Sequence, residues 1–73
     1  MKITDTRRRA LASARAGRLL KVHHRWRRRG VTVVGYEDRT VAPMVRAGLL
    51  AEVCGTLEIT EAGRALLASL EGR

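Results

Sequence analysis

Arginine is the residue type that most clearly indicates chemistry in this sequence. The 73 residues include 13 arginines and two lysines against seven acidic residues, so the formal net charge is +8. A guanidinium group is planar and permanently charged, and its paired N–H groups match the oxygen atoms of phosphate and carboxylate groups. The composition therefore predicts a polyanionic partner.

The cations are concentrated in the first part of the chain. Residues 1–29 contain eleven lysines and arginines and one acidic residue, whereas residues 30–73 contain four cations and six acidic residues. The two segments carry formal charges of +10 and −2. The arginines that we select as candidate contacts to nucleic-acid phosphates are Arg7, Arg8, Arg9, Arg15, Arg25, Arg27, Arg28, Arg29 and Arg46. A surface for an acidic protein and a merely solvated charge run are the alternatives.

Other kinds of chemistry have little support. His23, His24 and Cys54 lack the CxxC or HxxxH spacing of metal ligands, so we expect no metal site. The chain has no glycine-rich phosphate-binding motif and no recognisable pairing of a nucleophile with a base. We therefore expect no catalytic residues, no cofactor and no enzymatic activity. We expect Cys54 at a hairpin tip and His24 as a partly buried ring on a hairpin.

Length and hydropathy limit the architecture. A chain of 73 residues predicts one domain over residues 1–73, and its thin aliphatic core would be strengthened by homodimerisation. No apolar run reaches the length needed to span a bilayer, and no signal peptide is recognisable, which predicts a cytoplasmic protein without membrane contact.

We expect Trp26, one of two aromatic residues, to pack in the core; stacking on an unpaired base is the alternative.

The amino-terminal half predicts a helix followed by a hairpin. The Thr4-Asp5-Thr6 segment offers N-cap oxygens for a helix that runs to Ala16, with Ala10, Leu11 and Ala14 facing inward. Residues 19–29 fit either a helix or a strand. Because the β-branched segment that follows needs a neighbouring strand, we favour a hairpin of residues 19–26 and 31–36. Arg27, Arg28 and Arg29 would then form a cationic turn with Gly30.

The carboxyl-terminal half predicts a short helix, a second hairpin and a last helix. Thr40 is the expected cap of the short helix, with Pro43 in its first turn and Gly48 in a left-handed conformation after it. Residues 50–53 and 56–59 flank Cys54-Gly55 as strands, in a register that two- and three-residue turns would set differently. Thr60 and Glu61 open a helix that ends at Gly72, with Ala62, Leu66 and Leu70 on its apolar face.

Residues 40–67, TVAPMVRAGLLAEVCGTLEITEAGRALL, resemble the end of a winged helix-turn-helix DNA-binding domain. The RAGLL segment matches the end of a recognition helix, whose counterpart is residues 41–47, and the TEAGRALL segment matches the opening of the closing helix. The resemblance implies an α+β, winged-helix-like domain. Its expected order is helix, β-hairpin, short helix, β-hairpin (the wing) and helix, and the middle hairpin replaces a helix of the usual pattern.

Two functional hypotheses follow. The first is a regulator or architectural factor that binds nucleic acid, with duplex DNA favoured. The chain contains neither asparagine nor glutamine, so we expect phosphate contacts and little reading of base edges. The second is a protein-interaction module, by analogy with small domains of phages and mobile elements, that blocks an acidic protein or complex through its basic surface or an apolar patch around Met44 and Val45.

Overall fold

A computed structural model describes residues 2–22, 24–28 and 35–72. Within this part of the chain, three helices and five strands occur in the order α1 (Asp5–Ala16), β1 (Leu19–Val22), β2 (Arg25–Arg28), β3 (Tyr36–Glu37), α2 (Asp38–Arg46), β4 (Leu50–Val53), β5 (Thr56–Ile59) and α3 (Glu61–Glu71). The strands form one antiparallel sheet in the order β3-β2-β1-β5-β4. The predicted α+β class is confirmed, and the layout is compatible with a small winged-helix-like arrangement.

The two faces of the sheet differ in composition. Cross-strand partners share a face, so the pairs Leu19–Leu57 and Trp26–Tyr36 define the face on which the core is built. Ala10, Leu11 and Ala14 of α1 join the same buried cluster. The opposite face carries Leu20 and Arg27, which are cross-strand partners of each other. The helices therefore cover one face of the sheet, and none of the described helices packs on the other, the open face.

Helix α1 follows its sequence signals. The Thr4 side chain accepts a hydrogen bond from the backbone N–H of Arg7, and Gly17 lies at the other end of the helix. The alanine-rich segment between them has high helix propensity. Its apolar residues are buried as predicted, and the arginines at positions 8, 9 and 15 are exposed. The helix thus holds cations on a surface while its other side contributes to the core.

The first hairpin is strand rather than helix, but its predicted boundaries are wrong. Val22 pairs with Arg25, so a two-residue turn that contains His24, with a φ of 66°, joins the strands. Arg27 and Arg28, which were expected in the turn, belong to β2. An uninterrupted strand would have placed Trp26 on the same face as Leu20. The two-residue turn places it instead on the face of Leu19, so that both large side chains are buried. Residues 29–34 lie outside the described part of the chain.

Helix α2 begins three residues earlier than predicted. Its first residue is Asp38, and Thr40 is inside the helix rather than its cap. Asp38 is held by tertiary contacts, because it accepts hydrogen bonds from Trp26 Nε1 at 2.7 Å and from Lys21 Nζ at 3.0 Å. A carboxylate is also favourable at the positive end of a helix. Pro43 therefore lies inside α2 and not in its first turn.

The second hairpin and the last helix match the prediction closely. Leu50 pairs with Ile59, and the connecting residues Cys54 and Gly55 have φ values of 50° and 80°. This combination is the two-residue hairpin turn with both central residues left-handed. The thiol of Cys54 is exposed at the tip. Ala62 is an exception to the predicted apolar face of α3, because it is exposed.

A compact corner joins α2, the second hairpin and α3. Gly48 ends the turn after α2 with a φ of 80°. Thr60 donates its backbone N–H to Leu49 O at 3.1 Å and its hydroxyl to Gly48 O at 2.5 Å, and the same hydroxyl accepts from Gly63 N at 3.0 Å. A Cβ on Gly63 would collide with the carbonyl oxygen of Leu49 and with the side chain of Ile59. Close backbone packing therefore explains this glycine.

Candidate nucleic-acid interface

Arg15, one of the nine candidate arginines, is engaged by a carboxylate of the same molecule. It donates from Nη1 and Nη2 to Glu71 at 2.6 and 2.8 Å, a bidentate pair that links α1 to the end of α3. These hydrogen bonds lower the pKa of Glu71 and raise the pKa of Arg15. A bidentate carboxylate occupies the same donors that a phosphate would use.

Three further cations of the amino-terminal segment have intramolecular partners. The pairs are Arg18 with Glu58 at 3.2 Å, Lys21 with Asp38 at 3.0 Å and Arg25 with Glu37 at 3.4 Å. Arg25 also donates to the carbonyl oxygen of Gly35 at 3.1 Å. Together with Arg15, these contacts use the acidic residues of the second half of the chain as internal counterions. The net positive charge that is available to a ligand is therefore smaller than the net charge counted from the sequence.

Asp38 connects the first hairpin to α2. The pKa of its carboxyl group is lowered, first by the hydrogen bond from Trp26 and then by the hydrogen bond from Lys21. Lys21 Nζ also lies 5.7 Å from the centre of the Trp26 ring, which is a cation–π distance. Trp26 is only 4% exposed. Its expected role in the core is confirmed, and too little of the ring is exposed for stacking on a base.

The arginines near the start of α1 are placed differently. Arg8 and Arg9 are exposed, and Arg7 is half-buried with Nη1 donating to the carbonyl oxygen of Lys2 at 2.5 Å. Among the described residues, no carboxylate lies within ion-pair distance of these three side chains. Arg8 acts on Glu71 only through its charge, which contributes to the lowered pKa of that residue. In the part of the chain described, these three neighbouring arginines therefore form a group of cations without carboxylate partners.

The candidate arginines of the first hairpin do not extend the α1 surface. Arg25 and Arg27 lie on the open face of the sheet, whereas α1 packs on the core face, where Ser13 forms a hydrogen bond with Tyr36 Oη at 3.2 Å. Arg27 and Arg28 belong to β2 and not to a turn. Arg29 lies outside the described residues. The structure therefore separates the candidates on α1 from Arg25 and Arg27.

Helix α2 contributes little to a surface that could contact the edges of DNA bases. Val41 and Met44 are buried, so Met44 belongs to the core and not to the apolar surface patch that was predicted around Met44 and Val45. Val45 is half-buried, and Arg46 is exposed at the end of the helix. Arg46 is thus the one candidate arginine on the counterpart of a recognition helix.

His24 is exposed in the turn of the first hairpin, which corrects its expected partial burial. In the residues that the structure describes, no group of three or more histidine, cysteine, aspartate or glutamate side chains is arranged to hold a metal ion. Likewise, no described helix is long and apolar enough to cross a membrane.

Comparisons with protein-family models, with curated proteins and with solved structures find no match to this chain. The candidate interface is therefore defined by its own geometry. The sequence predicts phosphate contacts from Arg15 and Arg25 as well as from Arg8 and Arg9, because it does not indicate which carboxylates pair with the first two. The −2 charge of residues 30–73 was the available signal, although it could not indicate which acid meets which cation.

Proposed function

We propose that this protein binds nucleic acid, with duplex DNA as the favoured target, through phosphate contacts from the first turns of α1. The observation that carries the proposal is the contrast in pairing. Arg7, Arg8 and Arg9 have no carboxylate partner among the described residues, although the same chain pairs Arg15 with Glu71. Phosphate oxygens would supply the missing partners.

Helix electrostatics support this assignment. The amino-terminal end of a helix carries a partial positive charge, so cations there are unfavourable for the isolated helix by a few tenths of a kcal/mol each. Arg7 and Arg8 occupy the third and fourth positions of α1. Their cost to the helix is offset when an anion binds beside them. The same dipole would add to the attraction of a phosphate.

The proposed binding is insensitive to sequence. Reading of base edges depends on bidentate donors such as arginine, asparagine and glutamine, and the chain contains no residue of the last two types. Helix α2, the counterpart of a recognition helix, buries Val41 and Met44 and exposes Arg46. We propose an architectural or regulatory role in the cytoplasm, on a winged-helix-like scaffold, without catalysis.

A matched pair of double variants tests the proposal. Fluorescence polarisation with a labelled mixed-sequence duplex measures the affinity of the wild type, of R8Q/R9Q and of R15Q/R18Q at several salt concentrations. Both variants lose two positive charges, but only the first removes unpaired ones. We expect the logarithm of wild-type affinity to fall with the logarithm of salt concentration with a slope of about −3, and R8Q/R9Q to reduce that slope by about 1.8.

Several outcomes would contradict the proposal. Equal loss in the two double variants would indicate a response to net charge and not a site on α1. Absence of binding at low salt would exclude the function itself. Poly-L-glutamate serves as a competitor, because carboxylates can engage the same guanidinium groups; if it displaces the duplex at equal charge concentration, an acidic protein is the better assignment. Circular dichroism checks that each variant is folded.

A further inference from the structure

A cleft separates α2 from the core-facing side of the sheet. It has a volume of about 220 Å³, and its apolar walls are formed by Trp26, Val41, Ala42, Val45 and Leu57. Apolar pockets with a few charged groups at their margins are the usual form of binding sites. The cleft involves the first hairpin, the second hairpin and α2, and none of the α1 arginines line it.

Glu52 is an unusual residue for its position at this cleft. It lies opposite Leu57 in the β4–β5 pair and therefore points to the face that carries the core. The neighbouring Leu50 on that face is buried, whereas Glu52 is exposed. No cation lies within 4.0 Å of its carboxylate among the described residues, which is also true of Asp5 and Glu61, whereas the other four acidic residues are paired. In a chain with an excess of cations, Glu52 is available to a cation from outside.

The two other charged residues of the cleft have different roles. Asp38 is already engaged by Trp26 and Lys21. Arg46 lines the cleft and has no carboxylate within ion-pair distance in the described parts of the chain. A guanidinium group at such a margin can donate to the carbonyl oxygen of a bound peptide.

We propose that this cleft binds a peptide segment of another protein in which an apolar side chain adjoins a lysine or arginine. The apolar side chain enters between Trp26 and Val45, and the neighbouring cation reaches Glu52. Arg46 donates to a backbone carbonyl of the segment. This surface is separate from the α1 arginines, so the proposal does not depend on nucleic-acid binding.

Blocked tetrapeptides provide the test. The probes are acetyl-Ala-Leu-Lys-Ala-amide and acetyl-Ala-Leu-Gln-Ala-amide, and the readout is the emission of Trp26, the single tryptophan of the chain. We expect the lysine peptide to bind about two- to fivefold more tightly, which is the range for an exposed ion pair. The E52Q variant should bind both peptides equally, and R46Q should weaken both by the same factor.

Two further variants make the test decisive. E61Q removes an exposed carboxylate away from the cleft and should keep the lysine preference. A42L fills the cleft from the helix side and should abolish binding of both peptides while circular dichroism shows an intact fold. The proposal is wrong if the wild type shows no lysine preference, if E52Q keeps it, or if A42L still binds. It is also wrong if neither peptide binds. Self-association of E52Q in sedimentation would then indicate that Glu52 protects the β4 edge from pairing.

Discussion

Two sets of cations in the same segment of the chain have different structural environments. Arg15, Arg18, Lys21 and Arg25 each meet a carboxylate from the second half of the chain. The arginines at positions 7–9 of α1 have no such partner in the described structure. A segment rich in cations therefore does not form a single accessible cationic surface. Part of the positive charge serves as links between elements, and the remainder is available to a ligand.

The largest change in duplex affinity is expected when the charge of the unpaired arginines is reversed. We expect R8E/R9E to weaken duplex binding by about 100-fold at low salt, because two phosphate attractions become repulsions. Polarisation titrations measure the loss. R8Q/R9Q should lie between this variant and the wild type. A loss of less than threefold in R8E/R9E would show that the duplex contacts another surface.

The scaffold that supports both sets can be perturbed without changing charge. G63A introduces a methyl group against the Leu49 carbonyl and the Ile59 side chain, where no space exists. Overpacking of this kind costs about 1–3 kcal/mol of unfolding free energy. Urea denaturation measures the change, and the folded fraction should bind duplex with wild-type affinity. G72A, at the end of α3, is the control and should change stability by less.

Release of one paired cation should have the opposite effect and increase duplex affinity. E71Q removes the bidentate acceptor of Arg15. The freed guanidinium lies on the same helix as Arg8, so we expect duplex affinity to rise by about two- to fivefold and the salt slope to steepen by up to about 0.9. The control E58Q frees Arg18, which follows α1, and should increase affinity less. Unchanged affinity in E71Q would show that Arg15 faces away from the bound duplex.

Low pH should reduce the stability of the fold through two of the paired carboxyl groups, those of Glu71 and Asp38. The pKa values of Glu71 and Asp38 are lowered in the folded state, chiefly by hydrogen bonds from Arg15 and Trp26. Below the ordinary carboxylate range of about 4, the unfolded chain binds more protons than the folded chain, so stability falls as the pH falls. Urea midpoints at pH 3 to 6 measure this effect, which is small because both groups are exposed. A shallower dependence is expected for E71Q, and an identical profile would argue against the pair.

Local signals explain which elements could be predicted. The caps at Thr4 and Thr60 and the turn at Cys54-Gly55 act within a few residues. The sequence indicates Thr60 and the Cys54-Gly55 turn directly, and it places the first cap within Thr4-Asp5-Thr6. The turn that contains His24 was not predicted, because neither residue between Val22 and Arg25 is the glycine or asparagine that usually marks a left-handed position. The start of α2 was also missed, since Asp38 is held by partners on the first hairpin that no nearby residue indicates.

The candidate site was predictable in composition but not in arrangement. Its excess of arginine is evident along the chain, whereas the ion pairs of the amino-terminal cations join residues that are 12 to 56 positions apart. A change in strand register also decides on which side of the sheet Arg27 lies. Both facts depend on tertiary structure, so the sequence alone could not separate the free cations from the engaged ones.

The corner at Thr60 has a consequence for the dynamics of the protein. One residue closes the base of the second hairpin and begins α3, so these elements cannot separate unless its hydrogen bonds to Leu49 and Gly48 break together. Amide protons here should therefore exchange with solvent only through global opening, as a single cooperative unit. Helix α1 packs against β5 and α3, so this block also supports the helix that carries the exposed Arg8 and Arg9.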